Sequence, residues 1–339
     1  MDKKNVYCVI LAGGKGERLW PLSKQNLPKQ FIPFRKGNSL LEETIDRVDG
    51  FIQKNNIFIV TNNKYEKIIN NLVGDKIGGV FSEPESRNTA PAIALSCLKI
   101  YEKNPEAYII FLSADHYIPE KEKFVNGLKN IISTNTKEIV ILGVVPQYPA
   151  IGYGYIEFEN DTKNNHLAKV VRFHEKPSYK QAKIFTQNSN MLWNIGMFCG
   201  KAESFIKSFN FLSPDIIEDV KSFLNGKKEY KNINSISIDY AIMEKSKNLL
   251  VLPMDIVWFD VGSIDSFLSL KGDTEKNVMA INAKNNLVDV DGKLTVLIGV
   301  DDICVVQTEK VLLVMKKGDS DKIKSVLSTL RLKNEVEYL

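Results

Sequence analysis

Three glycines within four residues, Gly13, Gly14 and Gly16, follow directly on the apolar run Val6–Leu11, and two cations, Arg18 and Lys29, arrive within one loop's reach. These residue types in this order suit the holding of a polyphosphate. Glycine lets backbone N–H groups approach anionic oxygens with no side chain in the way, the Arg fork offers paired donors, and Lys adds a point charge. Two common phosphate loops do not fit. A dinucleotide fingerprint wants glycine where Leu19 stands, at a point of close helix–strand packing. A Walker loop wants Lys-Ser or Lys-Thr after its last glycine, whereas Glu17-Arg18 follows Gly16. The alternative is a glycine-rich hairpin turn with incidental cations.

The elements that must position this turn are legible as alternating apolar runs and amphipathic segments, the pattern of βα units feeding a mostly parallel sheet. Strands are expected at Val6–Leu11, Ile57–Thr61, Ala107–Leu112 and Ile139–Val145. Ser39-Leu40-Leu41-Glu42 reads as a capping box, with Leu41, Ile45, Val48 and Ile52 following at helical spacing, and a second helix begins near Thr89. From Gly152 onward longer polar inserts interrupt the strands. From about residue 275 short apolar runs recur with turn residues between them, as in a small β-rich cap, and a last helical segment starts near Asp319. The expected division is 1–274 and 275–339, and no long-range repeat stands out.

Composition narrows the function classes. The 339 residues carry 45 Lys plus Arg against 41 Asp plus Glu, a net charge of +4, which gives no basic footprint for nucleic acid. The four cysteines, Cys8, Cys97, Cys199 and Cys304, lie far apart in apolar runs, reading as buried reduced thiols of a cytoplasmic protein. No apolar stretch approaches the roughly 20 residues of a membrane span.

The string G-G-x-G-x-R-L-x-P-L with a following P-K resembles the signature of sugar-1-phosphate nucleotidylyltransferases. With Trp20 and Pro28-Lys29-Gln30-Phe31 it resembles their mannose-1-phosphate guanylyltransferase branch. The resemblance implies a Rossmann-like nucleotide-diphospho-sugar transferase fold with a truncated left-handed β-helix at the C-terminus that helps form a homodimer. It implies transfer of GMP from GTP to mannose 1-phosphate, giving GDP-mannose and pyrophosphate, with Mg2+ and in-line displacement. Leu11, Ala12, Gly13, Gly14 and Gly16 would wrap the triphosphate, Arg18 would contact the departing pyrophosphate and Lys29 would stabilise the phosphates. Glu17 stands where many relatives carry Thr; an acid beside a triphosphate repels it, so its side chain is expected to point away.

Such a reaction joins two anions, so its barrier is electrostatic and calls for a metal. Asp115, just past an expected strand, lies at the carboxyl edge where open α/β sheets bind ligands; Asp260, in W-x-D-V-G-S, is the second expected metal ligand. Alternatively, Asp115 caps the next helix and Asp260 is a turn acid before the helix from Ser263. Base recognition is expected from Glu83, Arg87, Asn88 and Thr89, which match E-P-x-x-R-N-T-A-P-A; the plain alternative is a polar loop and N-cap. Sugar and sugar-phosphate recognition is expected from Gly154, Tyr155, Glu175, Lys176 and Asn194, in strings resembling G-Y-G-Y-I, E-K-P and W-N-x-G-M-F. His116 needs no role as a base, because a phosphomonoester oxygen is already anionic. The chain leaves too little length for an appended isomerase domain, so a single activity is expected. The competing readings are a transferase for another sugar or base, and a silent GDP-mannose-binding homologue.

Overall fold

The computed structural model describes residues 2–14, 16–159, 167–272 and 277–339; Lys15 and the 274/275 boundary lie outside the described residues. The chain packs into two compact units. One comprises Met1–Gly13, Thr44–Ala114 and Ile118–Trp258, the other Gly14–Glu43, Asp115–Tyr117 and Phe259–Leu339. The glycine-rich turn thus groups with the C-terminal residues, in a division made by packing rather than by chain order.

The first unit is a nine-stranded sheet. Its strands, in chain order, are β1 (Val6–Leu11), β2 (Ile57–Asn62), β3 (Gly79–Glu83), β4 (Tyr108–Ser113), β5 (Ile139–Val144), β6 (Tyr155–Phe158), β7 (Ala168–His174), β8 (Met191–Lys201) and β9 (Leu249–Met254). Their spatial order is β3-β2-β1-β4-β8-β5-β9-β7-β6. β3, β2, β1 and β4 are all parallel, as expected of βα units. β8 then enters antiparallel to both β4 and β5, which makes the sheet mixed. β8 is nearly continuous in apolar residues and buried along most of its length, the pattern of a central strand covered on both faces.

Helices cover the sheet. Asn88 accepts from the Thr89 N–H, capping Thr89–Lys103. That helix is buried along most of its length in the main core with the helices Ala202–Leu212 and Pro214–Leu224. Because β1 has β2 on one side and β4 on the other, the carboxyl ends of β1 and β4 open side by side.

The second unit begins with the turn and ends in a β-helix-like coil. A short ladder pairs His116–Tyr117 with Phe259–Asp260. A helix from Ile264 to Lys271 follows, capped reciprocally by Ser263 and Ser266. Beyond it β10 (Val278–Ile281) lies parallel to β12 (Thr295–Ile298), β11 (Leu287–Asp289) parallel to β13 (Ile303–Gln307), and β14 (Leu312–Lys316) closes antiparallel on β13. Equivalent positions of successive turns are 17 residues apart, as in the contacts of Lys284 with Asp301 and Asn285 with Asp302. The repeat escapes a sequence reading because its corners rest on Asn282, Asn285 and Asp302 in left-handed conformations rather than on a repeated motif. The C-terminal helix, Ile323–Leu332, buries Ile323 and Leu327 in one core with Leu19, Trp20, Phe34, Val261 and Phe267.

Candidate active site

In the second unit the glycine-rich turn is built around the Lys29 stem. Gly16 adopts φ +66°, and a Cβ there would lie 2.7 Å from Lys29 Cβ, so glycine is required both by conformation and by close approach. The Gly16 carbonyl accepts from Leu19 N–H at 2.9 Å and from Ser23 Oγ at 2.6 Å, fixing the turn. Lys29, at the start of a single 3-10 turn, is buried. Its Nζ lies 2.6 Å from Asp115 Oδ2 and donates to the Val261 carbonyl at 3.3 Å.

Burial alone would push the Lys29 ammonium toward neutrality. The carboxylates of Asp115 and Asp260 outweigh it and hold the pKa above its ordinary value, with Arg18 acting weakly the other way. Burial likewise opposes the Asp115 charge, but Lys29 and His116 prevail and hold that carboxyl below its ordinary range. The ladder sets Asp260 opposite His116, and Val261 N–H reaches the Asp115 carbonyl at 3.4 Å. Both acids therefore face one lysine across a two-residue ladder, and neither caps a helix: Glu120 and Ser263 occupy those cap positions.

This donor set fits a magnesium ion. Among the described residues no group of three or more His, Cys, Asp or Glu could hold a metal. Magnesium, however, usually takes only one or two protein carboxylates and draws its remaining ligands from phosphate and water. Arg18 lies within electrostatic reach of Lys29, yet its guanidinium pairs with Asp321 at 2.8 Å. Glu17 turns to Arg331, also at 2.8 Å, as its charge requires.

The first unit places the remaining residues. Ala12 is held by β2: its N–H donates to the Val60 carbonyl at 3.0 Å and its carbonyl accepts from Thr61 at 2.7 Å. The Leu11 carbonyl accepts from Ala114, and Gly13 has open space where a Cβ would stand. Glu83, at the end of β3, is buried and accepts from the Tyr230 hydroxyl at 2.6 Å. Burial pushes its carboxyl up to about 7, against the lowering effect of that hydrogen bond. Arg87 pairs with Glu85 at 3.0 Å, and Thr89 Oγ1 accepts from the Ile238 N–H at 2.9 Å.

A second cluster gathers Glu175, Lys176, Asn194 and Asp239. Lys176 Nζ lies 3.1 Å from Glu175 Oε1, and Asn194 donates to Asp239 at 3.0 Å. The register of β8 shifts between Asn194 and Phe198, with Gly196 at φ +64° and its N–H on the Asn194 side-chain oxygen; this irregularity aims the amide. Gly154 leaves the room that Glu175 needs, since a Cβ there would lie 2.8 Å from Glu175 Oε2. Tyr155 is wholly buried with its hydroxyl on the Ala150 carbonyl at 3.0 Å, so its side chain is spent on packing rather than on a ligand. Asp239 is the residue that sequence reasoning passed over. It opens a short π-helical turn, Asp239–Met243, a distortion frequent at functional sites. Burial, then the nearby Glu175 charge, pushes its carboxyl up to about 6. No motif spacing marks it, because the contact with Asn194 spans 45 residues.

The Nucleotidyl transferase family matches residues 7–277, and the MannoseP isomerase/GMP-like beta-helix domain matches residues 276–330. The chain is 32% identical to mannose-1-phosphate guanylyltransferase 2 of Escherichia coli O157:H7, over its whole length and 76% of that protein. It is 32% identical to the alginate biosynthesis protein AlgA of Pseudomonas putida, over 95% of this chain and 71% of the relative. A solved structure described as mannose-1-phosphate geranyltransferase from Thermus thermophilus superposes with a TM-score of 0.87 at 27% identity, covering 96% of this chain and 99% of that one.

Proposed function

The chain belongs to the nucleotidyl transferases, in their mannose-1-phosphate guanylyltransferase branch, and from that membership we propose that it transfers GMP from GTP to α-mannose 1-phosphate, releasing pyrophosphate and GDP-mannose. The observation that carries the reading is the buried Lys29 between Asp115 and Asp260, packed on Gly16 of the signature turn. In the proposed step a phosphate oxygen of mannose 1-phosphate bonds to the α-phosphorus as the bond to the β-phosphate breaks in line with it. That oxygen is anionic at neutral pH, so the chain supplies positioning and charge rather than a base. Lys29, kept charged by its two acids, passes from Asp115 to the phosphates. Arg18 and the N–H groups of the turn hold the leaving pyrophosphate. Asp115 and Asp260 would hold a magnesium ion, which would supply positive charge to offset that of the phosphates.

Glu175, Asn194 and Asp239 would accept from and donate to sugar hydroxyls, with Lys176 on the sugar phosphate and Gly154 giving them space. Glu83, Arg87, Asn88 and Thr89 would read guanine, whose N1–H and N2–H donors suit a carboxylate or carbonyl. We place the catalytic region at 1–274 and the β-helix-like region at 275–339. A homodimer is supported by the apolar face that β10 and β12 expose through Met279, Ile281, Val296 and Ile298. The four buried free cysteines suit a reducing cytoplasm, and no helix among the described residues is long and apolar enough to cross a membrane.

The test is to incubate purified protein with each nucleoside triphosphate and several sugar 1-phosphates and to follow pyrophosphate release. GTP with mannose 1-phosphate is expected to turn over fastest; better turnover of UTP or dTTP would defeat the guanine assignment.

A further inference from the structure

Glu17 and Arg18, neighbours in the signature turn, each meet an opposite charge from the C-terminal helical segment. Arg18 Nε lies 2.8 Å from Asp321, in the 3-10 turn Ser320–Lys322, and Glu17 Oε1 lies 2.8 Å from Arg331 Nη2, in the last turn of the C-terminal helix. The two partners stand ~15 Å apart along the segment at the helical rise. The segment is seated independently of these pairs. Ile323 and Leu327 are buried in one core with Leu19 and Trp20, and Trp20 Nε1 donates to the Tyr338 carbonyl at 2.6 Å. Charge partners carried by a helix anchored this way meet the turn at fixed positions.

The four charges alternate in sign from Asp321 through Arg18 and Glu17 to Arg331. A free carboxylate at position 17, next to a glycine packed on the Lys29 stem, would repel a triphosphate arriving at Lys29. Arg18, conversely, is engaged by an acid that any incoming phosphate must displace. We propose that Arg331 is a positioning residue that draws Glu17 aside and cancels its charge, and that Asp321 holds Arg18 until a polyphosphate takes its place. The C-terminal segment thereby sets the charge of the signature turn. This deepens the proposed function and rests on its reading that the turn receives a triphosphate. Because all four side chains are partly or largely exposed, the effects are screened by salt and modest in size.

The test is a double-mutant cycle on the full chain, read as the Kd for inorganic tripolyphosphate with magnesium by calorimetry at low ionic strength. Arg331→Gln is expected to weaken binding about two- to fivefold, the range of an exposed pair, and to have no effect in a Glu17→Gln background. Arg331→Lys should restore most of the loss. Asp321→Asn should tighten binding by a similar factor, and these differences should shrink in high salt. Equal weakening by Arg331→Gln in both backgrounds would make Arg331 a phosphate contact or a mere helix residue and overturn its role. Weaker or unchanged binding in Asp321→Asn would overturn the competition for Arg18, and failure of the wild type to bind tripolyphosphate would overturn the whole proposal. Since the probe has neither base nor sugar, a preference for another nucleotide in turnover would sink the guanine reading and leave this cycle standing.

Discussion

The two clusters handle buried charge in opposite ways. In the second unit Lys29 lies between Asp115 and Asp260, opposite charges compensate one another, and Lys29 and Asp115 are each held in the ionised form. In the first unit burial and then the Glu175 charge drive the Asp239 carboxyl up to about 6, and Lys176, paired with Glu175, offsets part of that. Burial drives the Glu83 carboxyl up to about 7, and the hydrogen bond from the Tyr230 hydroxyl offsets only part of that. The difference follows the ligand chemistry proposed for each. A site for a polyanion and a metal needs fixed charges of both signs, because it must exchange one ionic partner for another at small cost. A site for hydroxyls and a base needs acceptors, and a carboxyl buried for that purpose is pushed toward its neutral form.

The largest expected effect breaks the charge-compensated side. Asp115→Asn should lower kcat by about 10²–10³, the scale of losing one electrostatic contributor to the transition state, with steady-state turnover at saturating magnesium as the measurement. Near-normal turnover would remove Asp115 from the phosphate chemistry.

The next effect concerns the acid-rich unit. Glu83 has a folded pKa of about 7 against 4.5 in a free chain, so the unfolded state loses its proton first as pH rises. Stability is therefore fullest below about pH 4.5 for this group and falls through the window up to about 7, by about 3 kcal/mol. Urea denaturation of Glu83→Gln should lack that fall; an unchanged pH profile would mean that Glu83 is ionised in the folded chain.

Two glycines sharpen the contrast further. Gly16→Ala meets a left-handed conformation and the Lys29 stem together, at ~1–3 kcal/mol for the overlap alone, and should raise the KM for GTP about tenfold or more. Gly154→Ala presses on Glu175 and Phe173 and should raise the KM for mannose 1-phosphate about tenfold while leaving that for GTP within about twofold. If each substitution shifted the other substrate's KM, the two clusters would have to exchange roles.

Much of the phosphate side is legible in the sequence, because its parts are local. The strand before the glycines, Val6–Leu11, has the expected bounds, and the Ser39–Glu42 capping box forms as its spacing predicts. Glu17 pairs with Arg331, which lies 314 residues on, so no local pattern could name that partner. Asp321 is hidden for the same reason. The helix after the capping box stops at Val48, one turn before the spacing of Ile52 implies, since Gly50 takes φ +78° and ends it. β8 reads as a recognition string and is also the strand that turns a parallel sheet into a mixed one. A motif specifies side chains, whereas strand direction is set by where the long connections return. Tyr155, Glu83 and Asp239 show the same limit: burial and pairing of a polar side chain depend on elements brought together only by the fold.

The most direct measurement is a crystal structure of the protein with GTP and manganese in place of magnesium, the ion located by its anomalous signal. The proposed chemistry predicts one peak bonded to carboxylate oxygens of both Asp115 and Asp260, with Lys29 Nζ moved from Asp115 to a phosphate oxygen. A peak bonded to neither acid, or a triphosphate remote from Gly16 and Lys29, would contradict it.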